Sequence, residues 1–416
     1  MRPSLVRLTC SLAFSALAVP ALAQSPVTEP DTAFTDFKTI VSRLELEKYK
    51  ATVKGLTRFG DRREGTERNR KALDWIEAQL KSYGCTNTER VTYQYAPAVR
   101  APRPAAAPGA APVTPPAARA ASAASTNAQG GGKLRGNRAR TGVNSDSLAQ
   151  KDPVLRALNS EPSTPGDRQD VYCTKIGTTH PDEMYIVGAH MDGHGWGEAA
   201  NDDGSGTALV MELARVFSSP DVKTDRSIRF VLWNNEETGL NGARAYVDQR
   251  QSLQGIENPK GSGTYPEPKW LGMIQHDMMM WDHGMPNADG SIPKDQRPEA
   301  DVNIEFQMKS KATLASQQLA WFLHGSNEKY ATDYPAQVGP HMTNTDSAPF
   351  QDLIPTVSLR ENERGSQVGA GWDPNWHQVS DVFSTYSDKD FRLGLNAAQT
   401  TLGALLHLAN GSLKKP

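Results

Sequence analysis

Apolar and polar positions follow two rhythms along this chain. Over residues 34–56 apolar side chains recur at helical spacing, namely Phe37, Ile40, Val41, Leu44, Tyr49 and Val53. A second amphipathic stretch carries Ala72, Leu73, Ile76, Leu80 and Tyr83 on one face. Its ends are marked: Thr66 is a candidate N-cap, Glu67 places negative charge in the first turn, and Gly84 is a C-terminal stop. A strand is expected over 90–95. Further on, short apolar runs predict strands over 170–176, 184–189, 227–233, 270–275, 302–308 and 355–359. Helical periodicity falls over 205–217, 241–250, 312–330 and 388–409. Such alternation predicts an α/β fold with a mostly parallel, mixed sheet and helices on both faces. Sheets of that kind place ligands in the loops beyond the carboxyl ends of their strands.

The rhythm lapses over residues 97–168, which are rich in Ala, Pro, Gly and Ser and include Gly130-Gly131-Gly132. With few large apolar side chains to offset chain entropy, this stretch predicts a disordered, solvated insertion within one domain spanning 34–416. At the start, Arg2 and Arg7 form a basic stretch before an apolar run from about Leu8 to Leu22, and Ala21-Leu22-Ala23 forms a small-x-small cleavage site. Residues 1–23 therefore read as a secretory signal peptide, with the mature chain starting near Gln24. The run is short for a membrane anchor, and Cys10 lies too early in it to be a lipoprotein cysteine. The expectation is an exported protein, secreted or periplasmic, without a membrane anchor. Cys85 and Cys173 then remain; both sit on or beside short strands expected to be neighbours, which predicts a disulfide. The 416 residues are 38% hydrophobic and 22% charged, ample for one large core. A net charge of -2 gives no global pointer to nucleic acid or an anionic membrane, and the scattered Arg and Lys of 97–168 read as a solvated linker rather than a binding arm.

Candidate chemistry gathers where the strands are expected to end. His190-Met191-Asp192 follows the apolar run 185–189; a His there is a natural metal ligand, and a carboxylate two residues on can orient its imidazole. Taken alone, a His-x-Asp is more often structural. Asn201-Asp202-Asp203-Gly204-Ser205-Gly206 opens a helix, where carboxylates serve equally as caps. The strand 227–233 runs into Asn234-Asn235-Glu236-Glu237; burying both carboxylates without a cation is costly, and a solvated acidic turn is the bland alternative. Asp277 follows the strand 270–275, and His377 precedes the last helix. Together these positions offer His, Asp, Glu, Asp and His, a mixture that suits zinc. Five such ligands exceed the needs of one tetrahedral ion, and a carboxylate bridging two metals accounts for the surplus.

In these residues the chain resembles the two-zinc aminopeptidase family, the zinc exopeptidases that include secreted bacterial leucyl aminopeptidase. The matching stretches are Arg63-Glu64-Gly65-Thr66, Gly188-Ala189-His190-Met191-Asp192, the run from Asn201 to Gly206, Glu236-Glu237-Thr238-Gly239, His276-Asp277-Met278, Thr345-Asp346-Ser347-Ala348-Pro349-Phe350, and His377 with Asp381. The resemblance implies a zinc-exopeptidase-like three-layer sandwich and two zinc ions. It makes Asp202 the bridge, His190 and Asp277 the rest of one site, and Glu237 and His377 the rest of the other. It gives Asp192 the orienting of His190, and Glu236 the role of general base and then acid. The implied substrate is a peptide with a free N-terminus. Gln378 and Gly204 stand where the family more often has Thr and Ala, without removing a ligand. The same core serves carboxypeptidases, for which Arg360 and Arg364 are candidate anchors of a substrate carboxylate, and glutaminyl cyclases, which keep one zinc. A non-catalytic binding protein on this fold is expected to have lost ligands or base. His194, His283 and His341 read as surface or hydrogen-bonded histidines, and residues 278–281 as pocket wall or core.

Overall fold

The computed structural model describes residues 31–96, 143–284, 287, 291, 293–340, 344–361 and 373–414. Residues 1–23, expected to be a signal peptide, and residues 97–142 of the expected insertion lie outside them. Helices are α1 (Asp31–Val41), α2 (Leu46–Thr57), α3 (Glu67–Ser82), α4 (Pro153–Asn159), α5 (Gly204–Phe217), α6 (Asn241–Arg250), α7 (Thr313–Tyr330) and α8 (Asp388–Leu408). Strands are β1 (Thr88–Tyr95), β2 (Gly166–Lys175), β3 (His180–His190), β4 (Val222–Lys223), β5 (Arg226–Trp233), β6 (Lys269–His276), β7 (Val302–Glu305), β8 (Ala336–Gly339), β9 (Thr356–Arg360) and β10 (Ser412–Leu413).

Eight strands form one mixed sheet in the order β1-β2-β5-β3-β6-β9-β7-β8. Its centre, β5-β3-β6-β9, is parallel throughout. Antiparallel pairs lie between β1 and β2, β2 and β5, and β7 and β9. The central strands are apolar on both faces, as parallel strands between layers must be. Along β5, Ile228, Phe230 and Leu232 enter the larger core, built with residues of α2, α3, α5, α7 and α8. Val231 and Trp233 point the other way, to Tyr246 of α6 and Phe350. The layers are thus present but unequal in weight.

Local signals explain most boundaries. Thr66 caps α3 by accepting from Asn69 N, and Ser387 with Asp390 forms a capping box at α8. The helical pattern over 34–56 is two helices, not one, because the chain turns at residues 42–45. Strand β8 was not expected: Ala-Gln-Val-Gly has too little apolar rhythm to announce itself. Cys85 and Cys173 are bridged, with Cα atoms 6.0 Å apart, tying the end of α3 to β2.

The expectation of disorder fails for residues 143–168. Asp146 caps a turn of 3₁₀ helix, and Asp152 caps α4 by accepting from Val154 N and Leu155 N, with Pro153 at the first helical position. Asn159 is buried and accepts from Asp61 N at 3.0 Å while donating to Gly197 O at 2.7 Å. Arg168, already in β2, pairs with buried Glu64. Composition concealed a segment whose stability comes from contacts with the domain rather than from a core of its own.

Candidate metal centre and active site

Because β5, β3 and β6 are parallel neighbours, their carboxyl ends open on one side. His190 is the last residue of β3; Glu236 and Glu237 follow β5; Asp277 follows β6. The turn after β5 is held by Asn234, whose backbone N–H donates to Asp170 (2.8 Å) and whose amide pairs with Asn69 on α3 (3.0 Å). Buried Arg62 clamps the strand end from outside, donating to Met191 O at 2.7 Å, Glu198 O at 2.8 Å and Ala199 O at 2.7 Å. No pattern in the sequence pointed to Arg62.

Asp202 and Asp203 divide the work between ligation and capping, with Asp202 the one the resemblance made the bridge. Asp203 is the N-cap of α5: it accepts from Gly206 N at 2.9 Å, and also from Met278 N (3.1 Å) and His190 N (3.1 Å), so it fastens three segments together. Asp202 faces the opening. Its Oδ1 lies 3.2 Å from His190 Nε2, and its Oδ2 lies 2.9 Å from His377 Nε2. Backbone N–H groups of Asn201 and Asp202 donate to Asp381 (2.8 and 3.2 Å), which holds the loop in this pose.

Two clusters result, and Asp202 of the first also reaches His377 of the second. In the first, ligand atoms of His190, Asp202 and Asp277 lie within 4.8 Å of one another, and so do those of His194, Glu237 and His377 in the second. His377 Nε2 is 2.9 Å from Glu237 Oε2, and His194 Nε2 is 3.0 Å from the same oxygen. All five residues expected as ligands therefore meet. His194, expected to be a bystander, joins them, and the only trace of it in the sequence is an imidazole four residues beyond His190. Asp192 accepts from Glu236 N at 3.0 Å and, through its carbonyl oxygen, meets His190 Nδ1 at 3.0 Å; its carboxylate stands 3.8 Å from that nitrogen. Its contact to the imidazole runs through the backbone first.

The electrostatics fit cations. Burial pushes Asp203, Glu236 and Asp346 well above the ordinary carboxylate range. Against their own burial, His377 is raised to about 10 by Glu237 and Asp202, and Glu237 is held down at about 2 by His194 and His377. Surroundings that favour positive charge this strongly, with nitrogen and carboxylate donors converging, suit divalent metal of the zinc type. Glu237 Oε1 also has no hydrogen-bond partner within the protein.

Other candidates have structural work. His283 is stacked on Trp281 and bonded to Asp390 at 2.7 Å and Pro293 O at 2.7 Å. His276 points to Thr401 of α8, and burial depresses it to about 3, so it is neutral. Met278, Met279 and Met280 are buried. Trp376 packs beside His377, with ring centroids 4.0 Å apart. Arg360, at the end of β9, is 1% exposed and donates to Asp277 Oδ2 at 2.9 Å. It backs a candidate ligand and does not stand in an open pocket. Arg364 and His341 lie outside the described residues.

A family model described as "Peptidase family M28" matches residues 171–399, more than half of the chain. Among curated proteins, the chain is 26% identical over 260 residues to the "Probable lipoprotein aminopeptidase LpqL" of Mycobacterium tuberculosis, covering 60% of this chain and 47% of that protein. It thus spans about half the length of that relative. Among solved structures, the LapA aminopeptidase of Legionella pneumophila is similar with a TM-score of 0.56 at 17% identity, over 93% of this chain and 78% of that one. A glutaminyl cyclase of Porphyromonas gingivalis is similar with a TM-score of 0.51 at 16% identity, over 88% and 99% respectively. At these identities the structural likeness concerns the fold alone. With the match running from β2 into α8 and taking in both clusters, the chain belongs to peptidase family M28.

Proposed function

We propose that this protein is an exported two-zinc aminopeptidase that hydrolyses the N-terminal residue from peptides. The observation that carries the reading is the pose of Asp202, with one carboxylate oxygen towards His190 and the other towards His377. One carboxylate serving two clusters is what a pair of metals requires.

His190, Asp202 and Asp277 would hold one zinc; Asp202, Glu237 and His377 would hold the other. When bound, zinc supplies Lewis acidity, lowering the pKa of water and drawing charge from the scissile carbonyl. Glu236 is the general base. Burial raises its carboxyl, and Asp346, Glu237 and Asp277 add to that rise against the pull of His190, which makes it the stronger proton acceptor. It takes the proton from the attacking water and returns it to the departing amine. Asp192 sets its backbone through the bond to Glu236 N. Asp277 is steadied by Arg360 and His190 by Asp203, so both present fixed donor atoms.

Arg360 favours aminopeptidase over carboxypeptidase. Of the two candidate anchors for a substrate's C-terminal carboxylate, Arg360 is turned to Asp277, with Glu305 3.7 Å from it as well. The number of metals separates this reading from a one-zinc cyclase. The test is release of the first residue from free-amine peptides, with N-acetylated peptides and chelator as controls, alongside zinc counting. Chelator-sensitive release from free amines alone, with two ions per chain, supports the proposal; release from the carboxyl end, or cyclisation with one ion, overturns it.

A further inference from the structure

His194 stands outside the ligand set that the resemblance implies, yet the loop that carries it is built to place it. Gly193 and Gly195 flank it. A Cβ on Gly193 would meet Ala199 Cβ at 2.5 Å and Asp202 O at 2.9 Å; one on Gly195, whose φ is +101°, would meet His377 C and O at 2.4 Å. The loop is thus pressed against the backbones of two candidate ligands, at positions where only glycine fits. Residues 144–150 strap it from outside. Asn144 N donates to His377 O at 2.9 Å, Asn144 Nδ2 to Gly195 O at 3.3 Å, and Gln150 Nε2 to Trp196 O at 2.8 Å.

The imidazole itself is poised as a ligand. Its ring stands edge-on to that of His377, with centroids 4.1 Å apart and planes at 89°. Its Nε2 is buried and 3.0 Å from Glu237 Oε2, without the alignment of a hydrogen bond. Two imidazole nitrogens that approach one carboxylate oxygen, at 2.9 and 3.0 Å, are donors gathered about a common point.

We infer that His194 is a fourth protein ligand of the second metal position. That position is then filled by Asp202, Glu237, His377 and His194, while the first has only His190, Asp202 and Asp277. Four protein ligands satisfy tetrahedral zinc and close a site; three leave a coordination position open for water or substrate. The two metals are therefore unequal: a retained ion on the His194 side, and an exchangeable, reactive one on the His190 side. This rests on the two-zinc reading above.

The test uses full-length processed protein, stripped with chelator and reloaded with zinc. Competition against a chromophoric chelator gives the two affinities in the wild type and in His194→Ala and His194→Gln. The tighter affinity is expected to fall at least about 100-fold in both variants, at or beyond the upper limit for loss of an outer partner of a ligand. The weaker affinity is expected to stay within a few-fold. X-ray absorption on the zinc-loaded wild type gives a second readout that no variant can spoil by misfolding. Three imidazoles shared over two ions support the inference; two imidazoles overturn it. If the wild type holds two ions and the variants hold both with unchanged affinity, the inference fails and the aminopeptidase reading stands. A wild type holding fewer than two ions overturns both.

Discussion

The two clusters that Asp202 joins stand on different foundations. His190 and Asp277 sit at the ends of adjacent parallel strands, where the β3–β5 ladder and the bond from Asp277 N to Leu359 O beside the β6–β9 ladder fix their backbones. Their side chains are 1% and 5% exposed. His194 and His377 ride on loops, in a glycine-flanked turn and at a positive φ of 58° respectively, and their side chains are 15% and 10% exposed. The strand-borne cluster is positioned by the sheet. The loop-borne cluster is positioned by side chains reaching in from elsewhere, notably Asn144 and Gln150 from a segment whose composition suggested no structure. Precision at a metal centre can therefore come from a rigid scaffold with few ligands, or from a strapped loop with more of them.

That contrast can be broken most severely at its shared member. Asp202→Ala should reduce bound zinc to at most one ion per chain by elemental analysis and bring peptide hydrolysis to background; two retained ions would show the bridge to be elsewhere. Glu236→Gln should lower kcat by about 10²–10⁴-fold, the usual range for a general base. Both ions should stay bound, and unchanged turnover would remove Glu236 from the chemistry. Next comes a change confined to the strand-borne side. Arg360→Lys keeps the charge beside Glu305 but loses the aligned donor to Asp277, and should weaken zinc about 10-fold there. Equal weakening at both positions in a chelator titration would erase the distinction drawn between them. The smallest effect is expected on the loop side, where Gln150→Ala removes the hydrogen bond to Trp196 O, worth about 1 kcal/mol, together with those to Val379 O and from Asp152 N, which lie off the His194 loop. It should loosen the second position about fivefold, and a shift at the first position instead would misplace the strap.

Much of this molecule was legible in its sequence. The strand-helix alternation, the Thr66 cap, the limits of α6 and the chemical types at the strand ends all follow from local rules. The disulfide followed from expecting two strands to be neighbours. Other signals were present but outweighed: Asp152-Pro153 is a cap followed by a first-turn proline, lost within a run of Ala, Pro and Gly. β8 is too short for its periodicity to register.

What the sequence by itself determined was the sheet, its helices and the kinds of donor set at its carboxyl edge, because periodicity, capping and composition are properties of neighbouring residues. Only the tertiary structure decided that Asp203 fastens three segments as it caps α5, that Arg360 backs Asp277, and that His194 belongs with His377 and Glu237. Those outcomes depend on which atoms distant segments bring within about 3 Å, the range over which a hydrogen bond or a ligand acts, and no local pattern along the chain encodes that convergence.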